Sequence, residues 1–136
     1  MVEPVYKQIE DKLVGVDCVL AFETASDYLA TNKMTHLRPA FYVYSLRELN
    51  ISGVECTVLD SYDNLEIIEQ RGIRCTSETQ TMWDLLRNDR DPQVIIECIA
   101  DWYFKHGESY SDLDVPDDIS ELFWDYAEDA KYYFDD

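Results

Sequence analysis

Acidic side chains dominate the C-terminal part of the chain and limit how it can fold. Eleven aspartates and glutamates against a single lysine lie between His106 and Asp136. They supply about ten of the eighteen excess negative charges of the 136-residue protein. Carboxylates at this density repel one another, and a helix that carries them loses some stability. Such a surface repels nucleic acid and attracts proteins lined with Lys and Arg.

The remaining composition is that of a folded domain. Hydrophobic residues make up 46% of the chain and aromatic residues 13%, whereas intrinsic disorder requires low hydrophobicity together with high net charge. A chain of this length buries roughly two thirds of its unfolded surface in one core. We therefore expect a single domain over residues 1–136, made of a core and an acidic segment from 108 to 136.

Hydrophobic spacing and turn residues predict an α/β (α+β) fold, with a small mixed sheet flanked by helices and an acidic C-terminal helix. A first helix is predicted from Pro4 to Leu13, and a short second helix near Thr24 to Ala30 with a side-chain cap. Leu65 to Glu69 fits either a helix or a strand. The predicted strands are Cys18 to Phe22, Ala40 to Tyr44, Val54 to Leu59 and Gly72 to Thr76.

Two further helices carry clear start signals. Ser77 and Gln80 have the spacing of a capping box, in which the hydroxyl and the amide each satisfy a backbone donor. Asp91 followed by Pro92 is a capping residue followed by a proline in the first turn. Gly107 is a plausible stop for the second of these helices.

The final helix is predicted from Asp117 to about Phe134, opened by Pro116. Its apolar stripe recurs at spacings of three and four and is expected to pack on the core. The stripe comprises Ile119, Leu122, Phe123, Tyr126, Ala130 and Tyr133. Carboxylates occupy much of the rest of the helix and are opposed only by Lys131.

Motifs for catalysis or cofactor binding are absent from the sequence. The four glycines are isolated, so no phosphate-binding loop is present, and there is neither a G-x-S-x-G elbow nor an H-E-x-x-H pair. A calcium loop counted from Asp112 places Asp117 where glycine is required and Phe123 where glutamate is required. The four cysteines form no C-x-x-C pair, and neither His36 nor His106 has ligand spacing from a cysteine. We expect no enzymatic activity, no metal and no cofactor.

The run GIRCTSETQTMWDLL from Gly72 to Leu86, with Asp91-Pro92 and the helix from Ile95 to Tyr103, resembles the antitoxins of the AbiEi abortive-infection family. Leu20 to Met34 and Phe41 to Val43 also resemble segments of that family, so the resemblance covers roughly residues 14–105. Family members commonly have Pro, Glu and Arg at the positions of Glu78, Thr79 and Gln80. Their N-terminal winged-helix DNA-binding domain has no counterpart in this sequence. The resemblance implies an α/β fold and a protein-level neutralising role of a type IV toxin–antitoxin system, without DNA binding.

Two functional hypotheses follow. The first is an acidic inhibitor, encoded by a phage or mobile element, that mimics DNA and occupies the nucleic-acid channel of a CRISPR effector or restriction enzyme. The second is a stand-alone antitoxin that neutralises a nucleotidyltransferase-type toxin. An acidic face is also typical of a surface that only keeps a protein soluble. The candidate partner-binding residues are Asp112, Asp114, Asp117, Asp118, Glu121, Trp124, Asp125, Glu128, Asp129 and Tyr132.

The N-terminus lacks a basic region followed by an apolar run, and no apolar stretch approaches the length of a membrane span. We therefore expect a cytoplasmic protein of a bacterial host cell, with no membrane contact. Basic residues cluster locally only between Arg71 and Arg90, where acids dilute them, so direct nucleic-acid binding is not expected. The oligomeric state stays open.

Overall fold

The computed structural model describes residues 5–29 and 39–132. Within them the chain forms a mixed α/β fold with one five-stranded sheet, as the sequence predicts. The helices are α1 Val5–Leu13, α2 Phe22–Leu29, α3 Glu78–Arg87, α4 Pro92–Lys105 and α5 Ser120–Ala130, and a 3-10 turn spans Asp117–Ile119. The strands are β1 Val19–Leu20, β2 Phe41–Ser45, β3 Val54–Val58, β4 Ile67–Gln70 and β5 Ile73–Thr76.

The sheet has the strand order β3-β2-β1-β5-β4, so β3 and β4 form its two edges. The pairs β2–β3 and β1–β5 are parallel, and the pairs β1–β2 and β4–β5 are antiparallel. Two residues join β4 to β5, Arg71 and Gly72, and both have positive φ angles, of 50° and 79°. Positive φ at both central residues is the requirement of a tight hairpin turn whose twist matches that of the strands.

Side chains along the strands alternate between two apolar clusters, one on each face of the sheet. Leu20, Val43 and Cys75 pack on one face with Ile9 and Leu13 of α1. Val19 and Tyr44 pack on the other face in a larger cluster with α3, α4 and α5. This alternation follows from the two-residue period of a strand and leaves both faces of the sheet covered.

The predicted strand from Cys18 to Phe22 is wrong in its length. Only Val19 and Leu20 pair as a strand, because Phe22 has a φ of 52° and begins α2. The predicted side-chain cap at Thr24 is also wrong, since α2 already starts at Phe22 and the Thr24 hydroxyl accepts a hydrogen bond from the Tyr42 N–H at 2.8 Å. The threonine therefore ties α2 to β2. Ala30 and the adjacent part of the family-like segment lie outside the described residues.

The start signals of α3 and α4 are confirmed, with one difference. Ser77 accepts a hydrogen bond from the Gln80 N–H at 3.1 Å, and Asp91 accepts one from the Gln93 N–H at 3.0 Å. The Gln80 side chain does not complete the capping box. Its carbonyl oxygen accepts from the Glu66 N–H, and its amide nitrogen donates to Asp84. The ambiguous segment around Leu65 becomes β4, whose beginning this amide caps.

None of the helices in the described parts of the chain combines the length and the apolar character needed to cross a bilayer.

Candidate protein-binding face

Helix α5 is held on the core by small and aromatic residues. Phe123, Ala127 and Ala130 are buried and recur at spacings of four and three, and Ile119 of the preceding turn is buried beside them. The predicted stripe is wrong at Leu122, which is 40% exposed, and Tyr126 is only half-buried. Ala127, and not Leu122, contacts the core. Its small side chain lets the backbone of α5 approach α4 closely, so the buried side of the helix is turned away from Leu122. Tyr133 lies outside the described residues.

Phe123 is the main aromatic anchor of α5. Its ring lies 5.7 Å from that of Trp83 in α3 and 5.5 Å from that of Tyr110, both in edge-to-face geometry. The Trp124 ring lies 4.9 Å from Phe123 and 5.5 Å from Tyr110 on the solvent side of the same cluster. Aromatic pairs in this geometry contribute about 0.5 to 1.5 kcal/mol each beyond the burial of their area. The helix is therefore fixed in orientation on the rest of the fold.

All ten sequence-predicted partner-binding residues are exposed. Those on α5 and its C-terminal turn share one side of the helix, opposite the buried arc, and we call them the α5 face. The α5 face consists of Glu121, Trp124, Asp125, Glu128, Asp129 and Tyr132. The remaining four, Asp112, Asp114, Asp117 and Asp118, lie in the irregular segment and the 3-10 turn that lead into α5.

Two rows of side chains cross the α5 face. Glu121, Asp125 and Glu128 are four and three residues apart, so they follow one line along the helix surface. Trp124, Glu128 and Tyr132 follow a second line at spacings of four. Trp124 is 48% exposed and Tyr132 is 62% exposed, so both rings are available for contact beside the carboxylates.

Compensating charge is sparse on this side of the molecule. Among the described residues of α5 and its terminal turn, Lys131 forms an ion pair with Glu128 at 4.0 Å, the outer limit for such a contact. Glu121, Asp125 and Asp129 have no ion pair within the residues that the structure describes. The face is therefore a nearly uncompensated anionic surface.

Asp118 differs from the other candidates because Arg87 of α3 binds it at two points. The guanidinium Nε donates to Oδ2 at 2.9 Å, and Nη2 donates to Oδ1 at 3.1 Å. This contact lowers the pKa of Asp118 and raises that of Arg87. Sequence reasoning missed the pair, since a basic residue thirty-one positions upstream gives no local signal. Asp118 joins the acidic segment to α3 instead of presenting a free carboxylate.

Two of the cysteines are buried thiols with a raised pKa, and the metal-binding residue types form no cluster in the described part of the chain. All four cysteines are free thiols, and burial raises the pKa of Cys18 to about 11 and that of Cys75 to about 12. A thiol with so high a pKa stays protonated at neutral pH and is a poor nucleophile. No group of three or more His, Cys, Asp or Glu residues is arranged to hold a metal ion within residues 5–29 and 39–132.

Buried acids occur away from the α5 face. Asp84 of α3 is buried, and its Oδ1 accepts a hydrogen bond from the Gln80 side chain at 3.0 Å. Burial raises the pKa of Asp84, while hydrogen bonds from Tyr44 and Gln80 and the charge of Arg87 act in the opposite direction. A pocket of about 290 Å³ lies on the other side of Tyr44, between β2 and the 59–65 loop. Its lining contains no pair of groups with an acid and base relationship.

No protein-family model matches this sequence, and a comparison with curated proteins finds no similar sequence either.

Proposed function

We propose that this protein is a non-enzymatic inhibitor whose α5 face occupies the basic nucleic-acid-binding surface of a defence nuclease, as an anti-CRISPR or anti-restriction protein does. The observation that carries the proposal is the row of outward-facing carboxylates on a helix fixed by the buried Phe123. A rigid array of this kind can pair with the Lys and Arg side chains that otherwise hold phosphates. It requires no catalytic group.

The spacing of the charges supports mimicry of a nucleic-acid strand. Glu121 to Asp129 is eight residues, which is about 12 Å along an α-helix. Four carboxylates over that length give an average of one charge per roughly 4 Å of helix axis, in uneven steps of four, three and one residues. One strand of duplex DNA carries a phosphate about every 3.4 Å. The average density of charge along this part of α5 is therefore similar to that of one nucleic-acid strand.

The exposed aromatic rings supply apolar contact area, which the carboxylates do not. Trp and Tyr are enriched in protein interfaces, where they bury large areas at low conformational cost. Trp124 and Tyr132 flank Glu128 at spacings of four, so a partner that contacts the carboxylates also covers the rings. This arrangement supports a specific protein partner over a surface that only confers solubility.

A competition experiment tests the proposal. A purified RNA-guided nuclease or restriction endonuclease is loaded with labelled nucleic acid, and the protein is titrated in at several salt concentrations. We expect displacement of the nucleic acid, with an affinity that falls steeply as salt rises because ion-pair contacts are screened. Displacement that is indifferent to salt would contradict charge mimicry.

Charge reversal locates the binding surface. We expect the triple substitution Glu121→Lys, Asp125→Lys and Glu128→Lys to weaken competition at least about a hundredfold, because each reversal replaces an attraction with a repulsion. The matched control reverses three exposed acids elsewhere, Asp11, Asp63 and Glu69, and changes the net charge by the same amount. Equal loss in both variants would show that only overall charge matters.

The second candidate function is neutralisation of a toxin, and it rests on the resemblance of the sequence to the AbiEi antitoxins. The residues that resemble the AbiEi antitoxins form one continuous unit in which β5 leads through the Ser77 cap into α3, and α3 through the Asp91 cap into α4. Coexpression with a nucleotidyltransferase toxin distinguishes the two. Rescue of growth that survives the triple α5 substitution supports the antitoxin function, whereas loss of rescue supports use of the α5 face.

A further inference from the structure

The edge strand β3 presents one side of its backbone to solvent. Its inner side pairs with β2 in parallel, from the Phe41 N–H bonded to the Gly53 carbonyl to the Leu59 N–H bonded to the Ser45 carbonyl, both at 2.8 Å. In a parallel ladder alternate residues bond to the same neighbour. The odd-numbered residues of β3 therefore bond inward, and Cys56 and Val58 direct their N–H and C=O groups away from the sheet.

These outward groups have no hydrogen-bond partner among the described residues. The Val54 N–H is used in a turn, bonded to the Ile51 carbonyl at 3.1 Å, so the open stretch begins at the Val54 carbonyl. On one face of the edge lie the apolar side chains of Val54, Cys56 and Val58, and Val58 is 49% exposed. The opposite face carries the exposed Glu55 and Thr57.

Charge determines what can pair with this edge. Residues 48–60, which include β3 and the segments that flank it, contain three acids, Glu48, Glu55 and Asp60, and no lysine or arginine. The basic side chain placed beside this region is Lys12 of α1, whose Nζ donates to the Ser52 carbonyl at 2.6 Å. A second copy of this chain would bring the same charges against β3 and has a net charge of −18 itself. Like charges directly opposite one another in a sheet are destabilising, and opposite charges are stabilising. The edge is therefore suited to a basic strand and unsuited to self-association.

The other edge strand, β4, also directs the backbone of two residues outward, Ile67 and Glu69, as their register with β5 requires. The two edges differ in their exposed apolar side chains, since Val58 of β3 is 49% exposed and no large hydrophobic side chain of β4 is comparably exposed. We therefore place the strand-binding edge at β3.

We propose that β3 binds an extended segment of a partner protein in which apolar and basic residues alternate, by adding that segment to the sheet as a sixth strand. Backbone hydrogen bonds to Cys56 and Val58 would supply affinity, and side-chain pairing would supply selectivity. Apolar side chains of the segment would lie against Val54, Cys56 and Val58, and basic side chains beside Glu55. This surface is separate from the α5 face, so the proposal for one site can be disproved without affecting the proposal for the other.

The probe is an acetylated and amidated seven-residue peptide of alternating valine and lysine, tested against the protein that carries the triple α5 substitution, so that attraction to the α5 face is removed. Amide hydrogen exchange reports the site. We expect slower exchange at Cys56 and Val58 on binding, while Glu55 and Thr57, already bonded to β2, change little. Protection elsewhere with none at Cys56 and Val58 would overturn the proposal.

Peptide methylation tests the strand geometry. In an added strand, the amides of alternate residues face β3 and the others face solvent. N-methylation of one alternate set should weaken binding roughly tenfold or more, because two or three hydrogen bonds are lost, and N-methylation of the other set should leave it unchanged. Equal effects of the two methylated peptides would overturn strand addition and indicate simple electrostatic attraction.

A substitution in the protein completes the test. Val58→Pro removes an outward N–H that the fold does not use, and proline is tolerated at such edge positions. Val58→Thr is the control, since it keeps the N–H and the preference for a strand. We expect Val58→Pro to weaken peptide binding roughly tenfold and Val58→Thr to bind almost as the parent does. If Val58→Pro unfolds the protein, the methylated peptides still decide the question, because they leave the protein unchanged.

Discussion

Arg87 and Asp118 form a two-point ion pair that ties the 3-10 turn before α5 to helix α3. The guanidinium and the carboxylate meet in the paired geometry that arginine also uses to bind phosphate. One of the protein's own basic residues is thus already bound to a member of the acidic segment. The contact holds the 3-10 turn against α3 and therefore helps to set where α5 begins.

The pair gives a pH-dependent contribution to stability. The folded-state pKa of Asp118 is lowered from its ordinary value of 3.8. Its stabilising contribution is therefore complete above that value and is lost as the pH falls through the lowered folded-state pKa. We expect Asp118→Asn to be less stable than the wild type at pH 7, measured by urea unfolding, and the difference to shrink as the pH is lowered below 3.8. A stability difference that does not change as the pH is lowered would contradict this account.

Asp84 should behave in the opposite way. Burial raises its folded-state pKa above the ordinary 3.8, so the folded protein binds the proton more tightly and stability falls as the pH rises through that interval. We expect Asp84→Asn to be more stable than the wild type at pH 7, by on the order of 1 kcal/mol, because a buried negative charge is removed. The advantage should disappear by about pH 4. A variant that is less stable at pH 7 would show that the hydrogen bonds from Tyr44 and Gln80 outweigh burial.

The elements that were correctly predicted are those whose signals are local. The caps at Ser77 and Asp91 act within three residues, and β2, β3 and β5 are marked by alternation and by turn residues. The same holds for the exposed acids, since a carboxylate flanked by other carboxylates has no low-cost place inside a protein. Every candidate partner-binding residue is accordingly found at the surface.

The errors have tertiary causes. Phe22 reads as part of an apolar strand, yet its φ of 52° ends the strand, and its ring contacts Arg90, sixty-eight positions later, at 4.7 Å. Leu122 belongs to the apolar spacing, yet close helix packing selects Ala127 for the contact. The Arg87 to Asp118 pair and the open edge at β3 depend on which strands and helices become neighbours. Sequence spacing does not contain that information.

Arg90 and Glu23 provide a test of the α2 junction. Arg90 Nη2 lies 2.7 Å from Glu23 Oε1, and the guanidinium stacks between the rings of Phe22 and Tyr42. Glu23 is buried, so Arg90→Met leaves a carboxylate without its partner and should cost about 3 kcal/mol of stability in chemical denaturation. We expect Glu23→Gln combined with Arg90→Met to recover part of that loss. An additive or larger loss in the double variant would contradict the pairing.

Phe123 and Trp124 are neighbours on α5. Substituting each in turn should distinguish the residue that holds α5 on the core from the residue that contacts the partner protein. Phe123→Ala removes a fully buried ring between Trp83 and Tyr110 and should cost about 3 to 5 kcal/mol of stability. Trp124→Ala removes a ring that is 48% exposed and contacts Phe123 and Tyr110, so it should cost about 1 to 2 kcal/mol, less than Phe123→Ala, and weaken competition with nucleic acid roughly tenfold. Thermal unfolding measures the first effect and the competition experiment the second. A Trp124→Ala protein that competes as the wild type does would remove the aromatic ring from the proposed interface, because its fold and its carboxylates are intact.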